Sequence, residues 1–215
     1  MTTASQPDSN IIADLLRPLA DEPNFSVPQL DVSIEPNIDL SNALKAALDS
    51  PEFYPPLSES VFAGDTVAIV LQTDIPHANY LIESIVDYLI STGIELTDIT
   101  LVVTGRTAEN LGIPLSQYEM AEKDKTEGNR SPVISFDFGF QTLNIQVHDP
   151  ENQTGHAYLA ANEEGDPVYV NRTLVDADIV IPIGLPSPGE VNQQQDCIYP
   201  DFSTTSTLYR FSQRK

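Results

Sequence analysis

The sequence predicts an α/β protein with a Rossmann-like open sheet, mainly parallel, carrying an added hairpin and helices on both faces. Three observations predict it. TVAIVL (66–71) is a continuous apolar run rich in β-branched residues and bounded by polar turns, as expected of a strand covered on both faces. HANYLIESIVDYLISTG (77–93) then places Leu81, Ile82, Ile85, Val86, Leu89 and Ile90 on one stripe at helical spacing. DITLVV (98–103) is a second buried strand, so the three make a βαβ unit, the connection that builds parallel sheets.

The remaining elements follow in chain order. Residues 1–25 mix Pro, Asp, Ser and Asn around one short apolar patch, IIADLL (11–16), and predict a mobile acidic tail. FSVPQLDVSI (25–34) alternates enough for an edge strand. SNALKAALDS (41–50) reads as a helix with Leu44, Ala47 and Leu48 on one face and Ser41 as N-cap, stopped by Pro51, Pro55 and Pro56. Gly93 is placed to terminate the long helix with a left-handed backbone. The charged, unpatterned stretch 121–132 predicts a surface loop. LNIQVHD (143–149) alternates, AYLAA (157–161) and PVYVN (167–171) flank a turn, and DIVIPIG (178–184) supplies a last apolar strand. The main domain is expected over 26–190, with 191–215 an extension or the start of a second domain.

Composition narrows the function. Lys and Arg number 10 against 32 Asp and Glu, a net charge of −22. Such a chain repels nucleic acid and anionic bilayers. Cys197 is the single cysteine, which excludes an intrachain disulfide and a cysteine-rich zinc site and suits a reducing, cytoplasmic setting. No apolar run approaches the length of a membrane span, and the first residues lack the pattern of a secretory signal.

Ligands of open parallel sheets bind beyond the carboxyl ends of the strands. That rule selects QTDIPHAN (72–79), TGRTAEN (104–110) and GLPSPGE (184–190). Asp74 and His77 make a candidate acid/base or ligand pair, although Asp74 also suits helix capping. Arg106 can receive a carboxylate or phosphate by forked donation, with Thr107 either beside it or acting as N-cap. His148-Asp149 closes a strand, and turn chemistry alone accounts for the acid. His77, His148 and His156 lie on separate elements without the spacing of a metal site, so none is assigned as a metal ligand. GxGxxG, Walker A and GxSxG signatures are absent.

The order of five segments, SNALKAALDSP, GDTVAIVLQTDIPHANYLIESIVDYLISTG, LVVTG, VHDPENQ and GDPVYVNRTLVDADIVIPIG, resembles the N-terminal domain of the nickel-pincer lactate racemase (LarA-like) family. The resemblance implies an isomerase ancestry among 2-hydroxy-acid racemases and epimerases, and a nickel pincer mononucleotide near Gly105, Arg106, Asn171 and Arg172. No catalytic residue is assigned; the candidates are Asp74 and His77 from the strand-end loop, Thr107 at the position where the family carries a catalytic histidine, and His148. The resemblance also implies a second α/β domain, here a separate C-terminal domain or subunit. Departures from the family pattern lie at the chemistry. The family's Asp-Asp-x-Thr-Arg-Pro is met by Leu71-Gln72-Thr73-Asp74-Ile75-Pro76, its Gly-Thr-His-Arg-Pro by Gly105-Arg106-Thr107-Ala108-Glu109, and its Glu-Pro-His by Pro186-Ser187-Pro188-Gly189. The expected function is therefore a LarA-like domain with a degenerate, catalytically incomplete site. The alternative is a non-catalytic binding or interaction domain holding a small anion through Arg106 and Arg172.

Overall fold

A computed structural model describes residues 39–116, 118, 132–162, 164–185 and 198–213. The expected tail (1–25), the edge strand at 25–34, most of the loop at 121–132 and the Pro186–Gly189 stretch lie outside the described residues. Helix α1 (Leu40–Asp49) and a short α2 (Leu57–Ser60) precede β1 (Val67–Leu71), α3 (Ala78–Ser91), β2 (Ile99–Thr104) and α4 (Gly105–Asn110). Then come β3 (Ile134–Asp137), β4 (Thr142–His148), β5 (His156–Ala161), β6 (Pro167–Asn171), α5 (Arg172–Asp176), β7 (Ile179–Ile183) and α6 (Thr205–Gln213).

Five strands form one sheet in the order β3-β4-β2-β1-β7, and β5-β6 form a separate antiparallel hairpin. β4, β2, β1 and β7 run parallel, whereas β3 pairs antiparallel with β4 at the edge. The predicted class holds: a mixed, mainly parallel α/β sheet with an added hairpin. β3 is a strand that the apolar pattern did not single out. Its stretch owes its place to edge pairing and to the Phe136, Phe138 and Phe140 rings, which contact in series at 4.9 and 5.6 Å.

Alternation along each strand divides the core. Val67, Ile69, Leu71, Ile99, Leu101, Val103, Leu143, Ile145 and Val147 face one side, where Ile82, Ile85, Val86 and Leu89 of α3 pack on them. Leu44 and Leu48 of α1 lean on the same cluster, while Ala47 stays exposed. On the other face Ala68, Val70 and Val102 are covered by Leu174 of α5 and by Phe202. β1 is thus buried on both faces, which is why its sequence shows no alternation.

Helix ends differ from expectation in instructive ways. α1 is capped by Asp39 rather than Ser41: Asn42 donates its backbone N–H to the Asp39 carboxylate at 3.2 Å and its side-chain amide at 2.7 Å. A carboxylate accepts both bonds and suits the positive end of the helix. α3 ends at Gly93 with φ +99°, and the Ile94 N–H returns to the Leu89 carbonyl at 3.2 Å, closing the last turn as anticipated.

Described residues beyond 190 pack against the second face of the sheet and the hairpin. Phe202 is fully buried, Ser203 bridges to Val170 of β6, and Asn171 donates its backbone N–H to the Phe202 carbonyl at 2.7 Å. At the start of β7, the Asp178 carboxylate accepts the Thr66 N–H (2.9 Å) and hydroxyl (2.8 Å), tying the amino ends of β1 and β7. Those bonds hold its carboxyl below the usual range.

Candidate functional site

The order β2-β1-β7 means that the chain leaves β1 toward β2 and later returns to the opposite side, a switch point at which α/β sheets open a crevice at the carboxyl ends. Gln72 ties that edge: its N–H donates to the Ile183 carbonyl at 3.0 Å, and its side-chain oxygen accepts the Leu185 N–H at 3.0 Å. In the loop that follows, Asp74 (φ +62°) and His77 (φ +56°) both adopt the left-handed backbone, uncommon outside glycine but tolerated by Asp and His.

Asp74 is not a helix cap. His77 occupies that position in α3 and makes no side-chain capping bond. Instead, the Asp74 carboxylate accepts from the Arg106 guanidinium at 3.2 Å and from the Asn110 amide at 3.0 Å, latching the β1 exit to α4. Thr107 is not the N-cap of α4 either. Thr104 caps it by accepting the Thr107 N–H at 3.2 Å, and Thr107 is buried inside the first turn. The hydroxyls of Thr73, Thr104 and Thr107 form a closed triangle, at 3.4 Å (Thr73–Thr104), 3.0 Å (Thr73–Thr107) and 2.9 Å (Thr104–Thr107). Gly105 sits beside it, and a Cβ there would meet no atom within 4 Å. Neighbouring protein atoms therefore do not require a glycine at this position.

His148 ends β4 in register with Thr104, on the face of the sheet that carries the second, smaller core. Its Nε2–H donates to the Ser203 carbonyl at 3.1 Å, and its Nδ1 accepts from the Asn171 side-chain amide at 3.3 Å, the pairing of a neutral imidazole. Burial, ahead of the neighbouring His156, pushes its pKa down to about 4, against the opposing pull of the Ser203 carbonyl and Asp149. Asn171 meanwhile caps α5 by accepting the Thr173 N–H at 2.9 Å. His156 lies edge-on to His148 at 5.2 Å and bonds through Nδ1 to the Asn152 carbonyl at 2.7 Å.

The arginines part company. Arg106 points from α4 toward Asp74, whereas Arg172 donates to the carbonyls of Thr154 (3.3 Å) and His156 (2.8 Å), clamping α5 to the start of the hairpin. The two arginines engage separate partners, Arg106 the Asp74 carboxylate and Arg172 backbone carbonyls of β5 and its approach. The structure therefore brings together Asp74, Gly105, Arg106 and Thr107 at the rim, and His148 with Asn171 in a buried node. His77 stands exposed at the start of α3. Sequence reasoning missed Thr73, Thr104, Asn110, Phe202 and Ser203. Of these, Thr104 carried a readable signal, a threonine at a strand-to-helix junction.

A nickel pincer group does not suit these residues. Among the described residues no group of three His, Cys, Asp or Glu side chains could hold a metal ion. The single described lysine, Lys45, sits on α1, and both ring nitrogens of His148 are already engaged. Among the described residues, no helix is long and apolar enough to cross a membrane.

No family model matches the sequence. The curated proteins also give no match. Among solved structures, the lactate racemase apoprotein from Thermoanaerobacterium thermosaccharolyticum is similar at 14% identity with a TM-score of 0.45, over 78% of this chain and 38% of that one. The chain thus spans well under half the length of that structure, and the likeness is one of fold alone.

Proposed function

We propose that the chain is a non-catalytic, cytoplasmic binding domain with a LarA-like fold, which holds a small anion at the carboxyl-end rim through Arg106 and the half-buried hydroxyls of Thr73 and Thr104, and which works beside a separate domain or subunit. The observation that carries this reading is the exposed Arg106 guanidinium at the sheet's switch point, on the helix that follows Thr104 and bonded to Asp74, the neighbour of Thr73. Arginine offers five donors, so its contact with Asp74 leaves others for a carboxylate or phosphate. An isomerase acting on 2-hydroxy acids needs a group that exchanges a proton near neutral pH. His148, at about 4 and bonded through both nitrogens, is a structural imidazole under those conditions.

Calorimetric titration of the purified chain with lactate and with inorganic phosphate tests the reading. Binding should weaken by roughly 1.5–3 kcal/mol in Arg106→Ala, the scale of a charge-assisted hydrogen bond, and stay unchanged in Arg172→Lys. Absent or identical binding in wild type and Arg106→Ala sinks it. Chiral chromatography of lactate after incubation should show no racemisation, and turnover that disappears on changing a rim residue would restore the isomerase reading.

A further inference from the structure

The rim carries both signs of charge. Arg106 and Asp74 meet in a single contact at 3.2 Å, between Nη2 and Oδ2, with 72% and 61% of their side chains in solvent. The Asn110 amide holds the other carboxylate oxygen at 3.0 Å, so the Asp74 carboxylate is fixed from two sides while each oxygen keeps a free lone pair. The guanidinium likewise keeps donors to spare. Thr73, next to Asp74, and Thr104, at the head of the helix that carries Arg106, are half-buried and can give or take a hydrogen bond. A ligand arriving here meets an accessible cation and an accessible anion side by side.

That pairing discriminates between ligand classes. A simple anion bonded to Arg106 also faces the Asp74 carboxylate, with Glu109 exposed on the same short helix, in a chain of net charge −22. At Asp74, a simple cation faces the guanidinium. A molecule with a carboxylate and an ammonium one carbon apart carries no net charge and sets each end against the opposite sign of the rim. We propose that the rim selects a small zwitterion, an α-amino acid whose carboxylate bonds Arg106 and whose ammonium bonds Asp74. This rests on the anion-holding reading above and names the ligand class at that same site.

Three probes of matched size separate the charges: alanine carries both, lactate replaces the ammonium by a hydroxyl, and ethylamine lacks the carboxylate. They are titrated into the full chain at neutral pH and about 0.15 M salt, where exposed charges further apart than about 8 Å are largely screened, and the side-chain NMR signals of Arg106 and Asn110 report the site. Alanine should bind about tenfold more tightly than lactate, and ethylamine no better than lactate. Asp74→Asn, of the same shape without the charge, should abolish the preference for alanine, whereas Arg106→Ala should weaken alanine and lactate together. Glu95→Gln, which removes an exposed carboxylate at the amino end of β2, should leave the preference intact. Lactate binding as tightly as alanine overturns the proposal and leaves the anion-holding reading standing, while binding of neither overturns both. Ethylamine matching alanine, a preference that survives Asp74→Asn, or an equal loss in Glu95→Gln overturns the proposal too. If Asp74→Asn perturbs folding in a thermal melt, the three probes on the wild-type chain decide by themselves.

Discussion

Two polar regions sit within one strand register of each other and do opposite work. At the rim, Arg106 and Asp74 keep 72% and 61% of their side chains in solvent, and their mutual bond is one option among several with water. In the node, His148 and Asn171 are 6% and 1% exposed, and each polar atom has a fixed protein partner. The difference teaches that residue type does not set the role of a histidine, asparagine or arginine at a strand end. Burial does, because a buried polar group must be paired to be tolerated, while an exposed one can exchange its partner for a ligand.

Removing the apolar backing of the node should give the largest effect. Phe202 is fully buried with its ring centroid 5.5 Å from that of His148, so Phe202→Ala should destabilise the fold by about 3–5 kcal/mol in urea unfolding. A loss below about 1 kcal/mol would mean that the second core contributes little, and that the node is a surface feature after all.

Protonation of the node comes next. His148 has a folded pKa near 4 against an ordinary value of 6.5, so the unfolded chain binds the proton more readily. Its contribution is fully present above pH 6.5 and is lost as pH falls toward 4, in total about 3 kcal/mol. Carboxylates titrate in part of the same range. The measurement is therefore the difference between wild type and His148→Gln in urea unfolding at pH 7, 5.5 and 4.5. That difference should shrink or reverse as pH falls, and a pH-independent gap would show that the imidazole is not held neutral by burial.

Smaller again is Asn171→Ala, which removes both the cap of α5 and the donor to His148. About 1–2 kcal/mol is expected from the same unfolding curves. At the rim, Arg106→Ala should change stability by no more than about 0.5 kcal/mol, since exposed ion pairs contribute little. A stability loss there as large as at Asn171 would erase the contrast and make the rim part of the scaffold.

Much of the architecture was legible before any coordinates. β1, α3 and β2 follow from an apolar run, a stripe at helical spacing and a second run, because a strand buried on both faces and a helix buried on one impose different periods. The stretch GDPVYVNRTLVDADIVIPIG likewise divides into strand, short helix and strand close to where its turn residues fall. β3 was not legible, since its four residues gain their order from pairing with β4 and from aromatic neighbours. The candidate site was legible only as a location. Asp74 and Arg106 could be placed at strand ends, but their meeting across 32 residues could not.

What the sequence determined by itself is whatever depends on composition or on near neighbours along the chain: the period of each element, the glycine that ends α3, and the net charge of −22. The tertiary structure alone decided which polar side chains are free to act. Arg172 became a clamp because the carbonyls of Thr154 and His156 reached it, and His148 became a neutral pin because Ser203, 55 residues away, closed over its ring. Local sequence cannot carry that outcome, because the cost of an unpaired buried group is set by which distant segment removes the water and supplies the partner.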